Sequence, residues 1–195
     1  MSDTTTDPGT KRVDPRVLRT RALLRSAALE LAAERELSGI TVAHVAERAT
    51  VNRATVYQHY SDRDALLLDA MEDELTALVA VLARCPLVDG PRRTPPAFTD
   101  VFRHVESQLV LYRRMLGPCG SARFLNRLQQ LVAEQVAHQL AAAPAGPRDG
   151  SGTALRAHCA AGAFIGVLRH WLMTPEPVDA GTMADGAWHA LSPTG

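Results

Sequence analysis

Within residues 53–59 the sequence places Arg53, Thr55, Tyr57, Gln58 and His59, five side chains that donate or accept hydrogen bonds. The set contains no purely aliphatic member, so a helix carrying it has an outward face built for contact with something polar. Asn52, just before it, is a residue type that caps helix N-termini. A helix starting at Arg53 would present free backbone N–H groups, a guanidinium and a threonine hydroxyl at its first turn, flanked by a phenol and an imidazole. That combination suits insertion into a major groove, where early residues meet base edges and the others touch phosphates.

Bond-making chemistry has no comparable support. The sequence lacks G-x-S-x-G, a phosphate-binding glycine loop, H-E-x-x-H and paired Cys/His metal spacing, and its histidines are dispersed. No enzymatic activity, metal or cofactor is therefore expected. Cys85, Cys119 and Cys159 lie far apart without C-x-x-C spacing, which argues against zinc and a disulfide framework and for three free thiols.

Composition sets the class. Of 195 residues 46% are apolar, and 21 basic residues balance 21 acidic ones, as in a globular chain and unlike a disordered one. The balance is uneven along the chain: Lys11, Arg12, Arg16, Arg19, Arg21 and Arg25 face one acid, Asp14. Such a basic arm is a footprint of phosphate binding, although a solvated helix face gives the same pattern. The N-terminus does not resemble a signal peptide, and no apolar run approaches the roughly 20 residues that cross a bilayer. A cytoplasmic protein with no membrane partner is expected.

Helical spacing must position the polar set. Residues 1–15 read as a flexible basic tail, and a first helix runs from Arg16 to about Glu36 with Leu24, Ala28, Leu31 and Ala32 on one stripe. Thr41 can cap a short helix whose inner face is Val42, Val45, Ala46 and Ala49, and Asn52 caps the next, Arg53 to Tyr60. Joined by so short a turn, the two must cross steeply, locked by Val45, Ala46, Val51, Val56 and Tyr60. A fourth helix restarts at Ser61-Asp62 and reaches about Arg84, with Leu67, Met71, Leu75, Leu78 and Leu82 as its seam. After a proline-rich loop, helical patterns cover residues 98–116, 121–142, 153–173 and 182–191. No useful β pattern appears, so the fold class is all-α.

Residues 16–75 resemble the DNA-binding domain of the TetR (tetracycline repressor) family. The matching features are Ala27-Ala28 with Leu31-Ala32, the Thr41-Val42 entry, Val45-Ala46, the Val51-Asn52-Arg53 turn, the Val56-Tyr57-x-His59-Tyr60 string, and Arg63 with Leu66. The resemblance implies a helix-turn-helix domain over residues 16–62 (motif 41–60) and a helical ligand-binding and dimerisation domain over 63–195, about nine helices in all. It further implies that Arg53, Ala54 and Thr55 sit nearest bases with Gln58 as a further reader, and that Thr41, Tyr57, His59 and Arg63 hold phosphates. Tyr57 is expected outside and Tyr60 in the core; His44 is left as surface. The family usually has glycine where this chain has Thr50, a residue that positive φ would strain.

The implied protein is a transcriptional regulator, usually a repressor, that binds a pseudo-palindromic double-stranded operator as a homodimer and is released by a small-molecule effector. The segment from His158 to Leu168 is small or apolar on nearly every face, so it needs cover on all sides. Ala160, Gly162, Ala163 and Gly166 would let a partner subunit supply it; a central helix of a monomer is the other reading. Phe102, His104, Tyr112, Phe124, His158 and Trp171 are of the kind that line effector pockets, although most such residues are simply core. The alternative function on the same scaffold is a thiol-based redox sensor using Cys85, Cys119 or Cys159.

Overall fold

The computed structural model describes residues 14–87, 91–142 and 150–191; most of the expected tail, residues 1–13, lies outside them. Asp14 opens the first helix by accepting from the Arg16 N–H at 2.8 Å, with Pro15 at the first helical position. The chain then runs α1 (Pro15–Glu34), a 3₁₀ turn (Leu37–Gly39), α2 (Val42–Arg48), α3 (Arg53–His59), α4 (Arg63–Ala70), α5 (Glu72–Leu82), α6 (Pro96–Ser107), α7 (Leu109–Leu116), α8 (Ala122–Ala142), α9 (Gly150–Met173) and α10 (Ala180–Leu191). The described residues contain no strand, and the fold class is all-α as expected.

Two expected helices each break in two, giving ten α-helices among the described residues in place of about nine. The fourth divides at Met71, whose φ of −90° and ψ of 0° leave its N–H shared between Leu67 O and Leu68 O at 3.1 Å each. The new N-terminus carries Glu72, Asp73 and Glu74, three carboxylates that complement the helix dipole. Nevertheless the apolar seam from Leu67 to Leu82 continues buried across the break. The expected 98–116 helix divides at Gln108 (φ −121°, ψ 33°), next to Ser107, whose hydroxyl donates back to His104 O at 2.7 Å. A side chain that bonds the helix carbonyls competes with helix continuation. At the end of the chain Asp179 starts α10 two residues early, accepting from Gly181 N at 2.9 Å and Thr182 N at 3.0 Å.

α1 is the hub of the N-terminal part and packs on α2, α4 and α7; α4 also reaches α8. In the C-terminal part α8 and α9 pack along one another, α10 lies on α6 and α9, and α5 fills the space between α6 and α8. Phe98 and Phe102 centre an aromatic cluster with Phe164, Trp171 and Trp188 in tilted or edge-on contacts, the Phe98–Trp188 centroids 5.0 Å apart. Ion pairs stitch the two parts together: Asp62–Arg123 at 2.8 Å, Glu72–Arg127 at 3.4 Å, and Glu36–Arg114. No described helix is long and apolar enough to cross a membrane.

Candidate nucleic-acid interface and bundle cavity

The two short helices are held by caps at both starts. The Thr41 hydroxyl accepts from His44 N at 3.2 Å while His44 Nδ1 accepts from Thr41 N at 3.3 Å, a reciprocal capping box in which histidine takes the place usual for Glu or Gln. His44, expected only as surface, therefore has a structural role. Asn52 Oδ1 accepts from Ala54 N at 2.8 Å and fixes the start of α3. Val45, Ala46, Val56 and Tyr60 are buried, with Val51 half-buried against them. Arg48 clamps α2 to α1 through a two-pronged bond to Glu34 at 2.7 and 2.8 Å, which lowers the Glu34 pKa.

This frame leaves the outer face of α3 open. Arg53, Ala54 and Gln58 are exposed, Thr55 and His59 half-buried, and Tyr57 is 49% exposed. The Arg53 guanidinium lies over the Tyr57 ring at 5.5 Å and donates to its hydroxyl at 3.1 Å, so the two form one unit at the helix start. Arg53 has no acidic partner among the described residues. Tyr60 points the other way: its hydroxyl donates to Asp69 at 2.6 Å, and burial followed by that carboxylate pushes the phenol pKa up.

Two parts of the expected interface are committed inward. Arg63 donates to Leu37 O at 2.7 Å and Ile40 O at 3.4 Å and pairs with Asp64 at 2.8 Å, binding the 3₁₀ turn to α4. A phosphate role for Arg63 would have to compete with these bonds. Of the basic arm, Arg21 pairs with Asp69 at 2.8 Å and Arg25 with Asp73 at 2.5 Å, so half of the arginines on α1 serve the packing of α1 on the segment that follows α3. Arg16 and Arg19 remain exposed without an ion pair among the described residues.

A cavity of about 490 Å³ opens between α5, α6, α8, α9 and α10, lined by apolar side chains including Leu82, Phe98, Val132, Val136, Phe164 and Trp188. None of the six pocket residues expected from sequence is among the described lining residues of this cavity. Phe102, Tyr112, Phe124 and Trp171 are fully enclosed core, because large rings at helical spacing gain most from burial in the aromatic cluster. His104 is 3.1 Å from the Tyr112 hydroxyl and 3.5 Å from Glu74, and burial with the nearby Glu74 charge raises the Tyr112 pKa. His158 is exposed. Ala160 and Ala163, expected at a subunit contact, line the cavity. Gly162 and Gly166 face open space: a Cβ at either would meet nothing within 4 Å. They share an outward stripe of α9 with Leu155, 68% exposed, and Met173, 37% exposed.

Comparison with known proteins follows this division. Residues 24–70 match the model of bacterial regulatory proteins of the tetR family. Over these residues the chain is similar to the TetR family. It is 29% identical over 126 residues, 50% of this chain and 33% of the relative, to the uncharacterized HTH-type transcriptional regulator YxbF of Bacillus subtilis (strain 168). It thus spans about a third of the length of that relative. Among solved structures, a TetR transcriptional regulator from Streptococcus agalactiae 2603V superposes with a TM-score of 0.65 at 19% identity, covering 91% of this chain and 96% of that one. SmeT, the repressor of the Stenotrophomonas maltophilia multidrug efflux pump SmeDEF, gives 0.61 at 20% identity, covering 88% and 87%. These likenesses give the whole-chain fold, and the matched family is one of DNA-binding transcription factors and not of enzymes.

Thr50, where the family resemblance leads to an expectation of glycine, has φ of 56° and is the one non-glycine residue of positive φ among the described residues. The turn is not rebuilt to avoid the strain. Val51 N donates to Ala46 O at 2.9 Å and Thr50 N to Glu47 O at 3.1 Å, the bond pair that ends a helix on a left-handed residue. Both carbonyls at the end of α2 are thereby satisfied, which offsets part of the cost of a β-branched residue there.

Proposed function

We propose that the protein is a repressor that binds a pseudo-palindromic operator as a homodimer, with α3 of each subunit in a major groove, and releases it when a small molecule enters the bundle cavity. In this reading residues 16–62 hold the DNA and residues 63–195 hold the ligand and the partner. The observation that carries it is the exposed Arg53–Tyr57 pair at the capped start of α3, a cation free of acidic partners among the described residues and held where a base edge would meet it. Arg53, Ala54, Thr55 and Gln58 read bases; Thr41, Tyr57 and His59 hold phosphates, joined by Arg63 if its internal bonds rearrange. Repression is supported by likeness in fold to SmeT, itself a repressor. The dimer is supported by the open α9 stripe, whose glycines would allow a second helix to approach closely.

The test is DNA binding by two variants on an operator selected from random duplexes and on unrelated DNA. Arg53→Ala should weaken operator binding by about 1–3 kcal/mol and unrelated binding much less, since a bidentate base contact is lost. Tyr57→Phe should weaken both alike, because a phosphate contact carries no sequence information. Equal losses on both DNAs for Arg53→Ala would overturn the assignment of α3.

A further inference from the structure

Among its described lining residues the bundle cavity has one that is charged. Its walls are alkyl and aromatic, from Leu82, Phe98, Val132, Val136, Phe164 and Trp188, while among the described lining residues Arg92 is the sole ionised side chain and none is a carboxylate. Arg92 is exposed and makes no hydrogen bond or ion pair among the described residues. The backbone beside it is anchored, because the neighbouring Pro91 carbonyl accepts from Trp188 Nε1 at 3.0 Å, and Trp188 is itself a wall of the cavity. Across the space, Gln139 of α8 bonds Leu87 N at 2.9 Å and Cys85 O at 2.8 Å and pins the segment after α5. The volume of about 490 Å³ falls within the roughly 300–1,000 Å³ of small-molecule sites, and both ends of the wall are tied by hydrogen bonds before any ligand arrives.

We propose that this cavity takes an amphipathic organic anion, an extended apolar body lying among the alkyl and aromatic walls with its acid group at Arg92. The assignment rests on reading the cavity as the effector site and adds the chemical class of the effector. A neutral hydrocarbon would leave Arg92 without a role, and a cation would meet its repulsion with no carboxylate among the described lining residues to offset it. An anion gains a charge-assisted bond at the mouth while its body leaves water.

The experiment titrates the full-length protein by calorimetry with three probes of one chain length, decanoate, 1-decanol and decyltrimethylammonium, each below its aggregation threshold. Decanoate should bind about 10-fold or more tightly than decanol, and the ammonium more weakly still. Arg92→Gln should remove the decanoate advantage and leave decanol unchanged. Ala163→Phe, which fills the cavity from α9, should weaken decanoate and decanol together. Equal affinity for the three heads, no binding of any, or decanoate binding indifferent to Arg92→Gln would overturn the proposal. Operator release is measured separately: decanoate binding without release retains the ligand class and sinks the effector reading, whereas release by other compounds without decanoate binding sinks the class alone.

Discussion

At the scale of single residues, one strained position and one sealed thiol carry measurable consequences. Thr50 sits in the left-handed region and is exposed, so its side chain contributes little to the core while its backbone carries strain. Thr50→Gly should therefore raise unfolding free energy by roughly 1 kcal/mol, seen as a higher denaturation midpoint at unchanged m-value, since glycine adopts this conformation without a Cβ clash. Cys85 is buried and its thiol is pushed up to about 12 by desolvation. It should resist maleimide at pH 8 until the chain unfolds, whereas exposed Cys119 should react in the folded state, as peptide mapping would reveal. A thiol-sensing role has no structural support at Cys85. Such details were only partly legible in sequence: Thr50 stood out because the family places glycine there, but neither its retained conformation nor the Arg53–Tyr57 pair follows from spacing.

At the scale of elements, the start of α4 does two jobs through Asp62. Its carboxylate caps the helix by accepting from Ala65 N at 2.8 Å and also pairs with Arg123 of α8 at 2.8 Å. The Ala65 bond, followed by Ser61 and Arg123, holds the Asp62 pKa below its ordinary value. A lowered folded pKa gives stabilisation that is present above the unfolded carboxylate range and lost as pH falls through the folded value. Asp62→Ala should cost about 1 kcal/mol at neutral pH through the lost cap. Asp62→Asn should flatten the decline in urea midpoint between about pH 5 and pH 3, and a decline as steep as that of the native chain would remove Asp62 from this role. The cap itself was readable from Asp62 before an apolar run; its second partner, sixty-one positions away, was not. The divisions at Met71 and Gln108 were equally hidden, because the apolar pattern continues through the first and Ser107 signals the second only by a bond to a nearby carbonyl.

At the scale of the whole molecule, the proposed dimer can be tested at the open stripe of α9. A side chain at Gly166 would meet nothing within its own chain, and replacing an interior helix glycine adds helix propensity, so Gly166→Arg should leave the fold intact. If the proposed dimer forms through this stripe, the variant should be a monomer by light scattering and lose tight operator binding; a dimer retained in the variant would mean that another face forms the contact. The sequence by itself determined the class and placed the capped helix over Arg53–His59, because helical periodicity, caps and the local string at residues 41–60 are short-range properties that few other arrangements satisfy. Only the tertiary structure decided the cavity and the fate of the charges. Phe102 and Trp171 sit in the sealed core while Phe98 and Trp188 border the cavity, although all four are aromatic residues at helical spacing. Likewise Arg21 and Arg25 pair with Asp69 and Asp73 while Arg16 has no ion pair among the described residues. Which partner a side chain meets is settled by elements far apart in the chain, and periodicity within one helix holds no information about them.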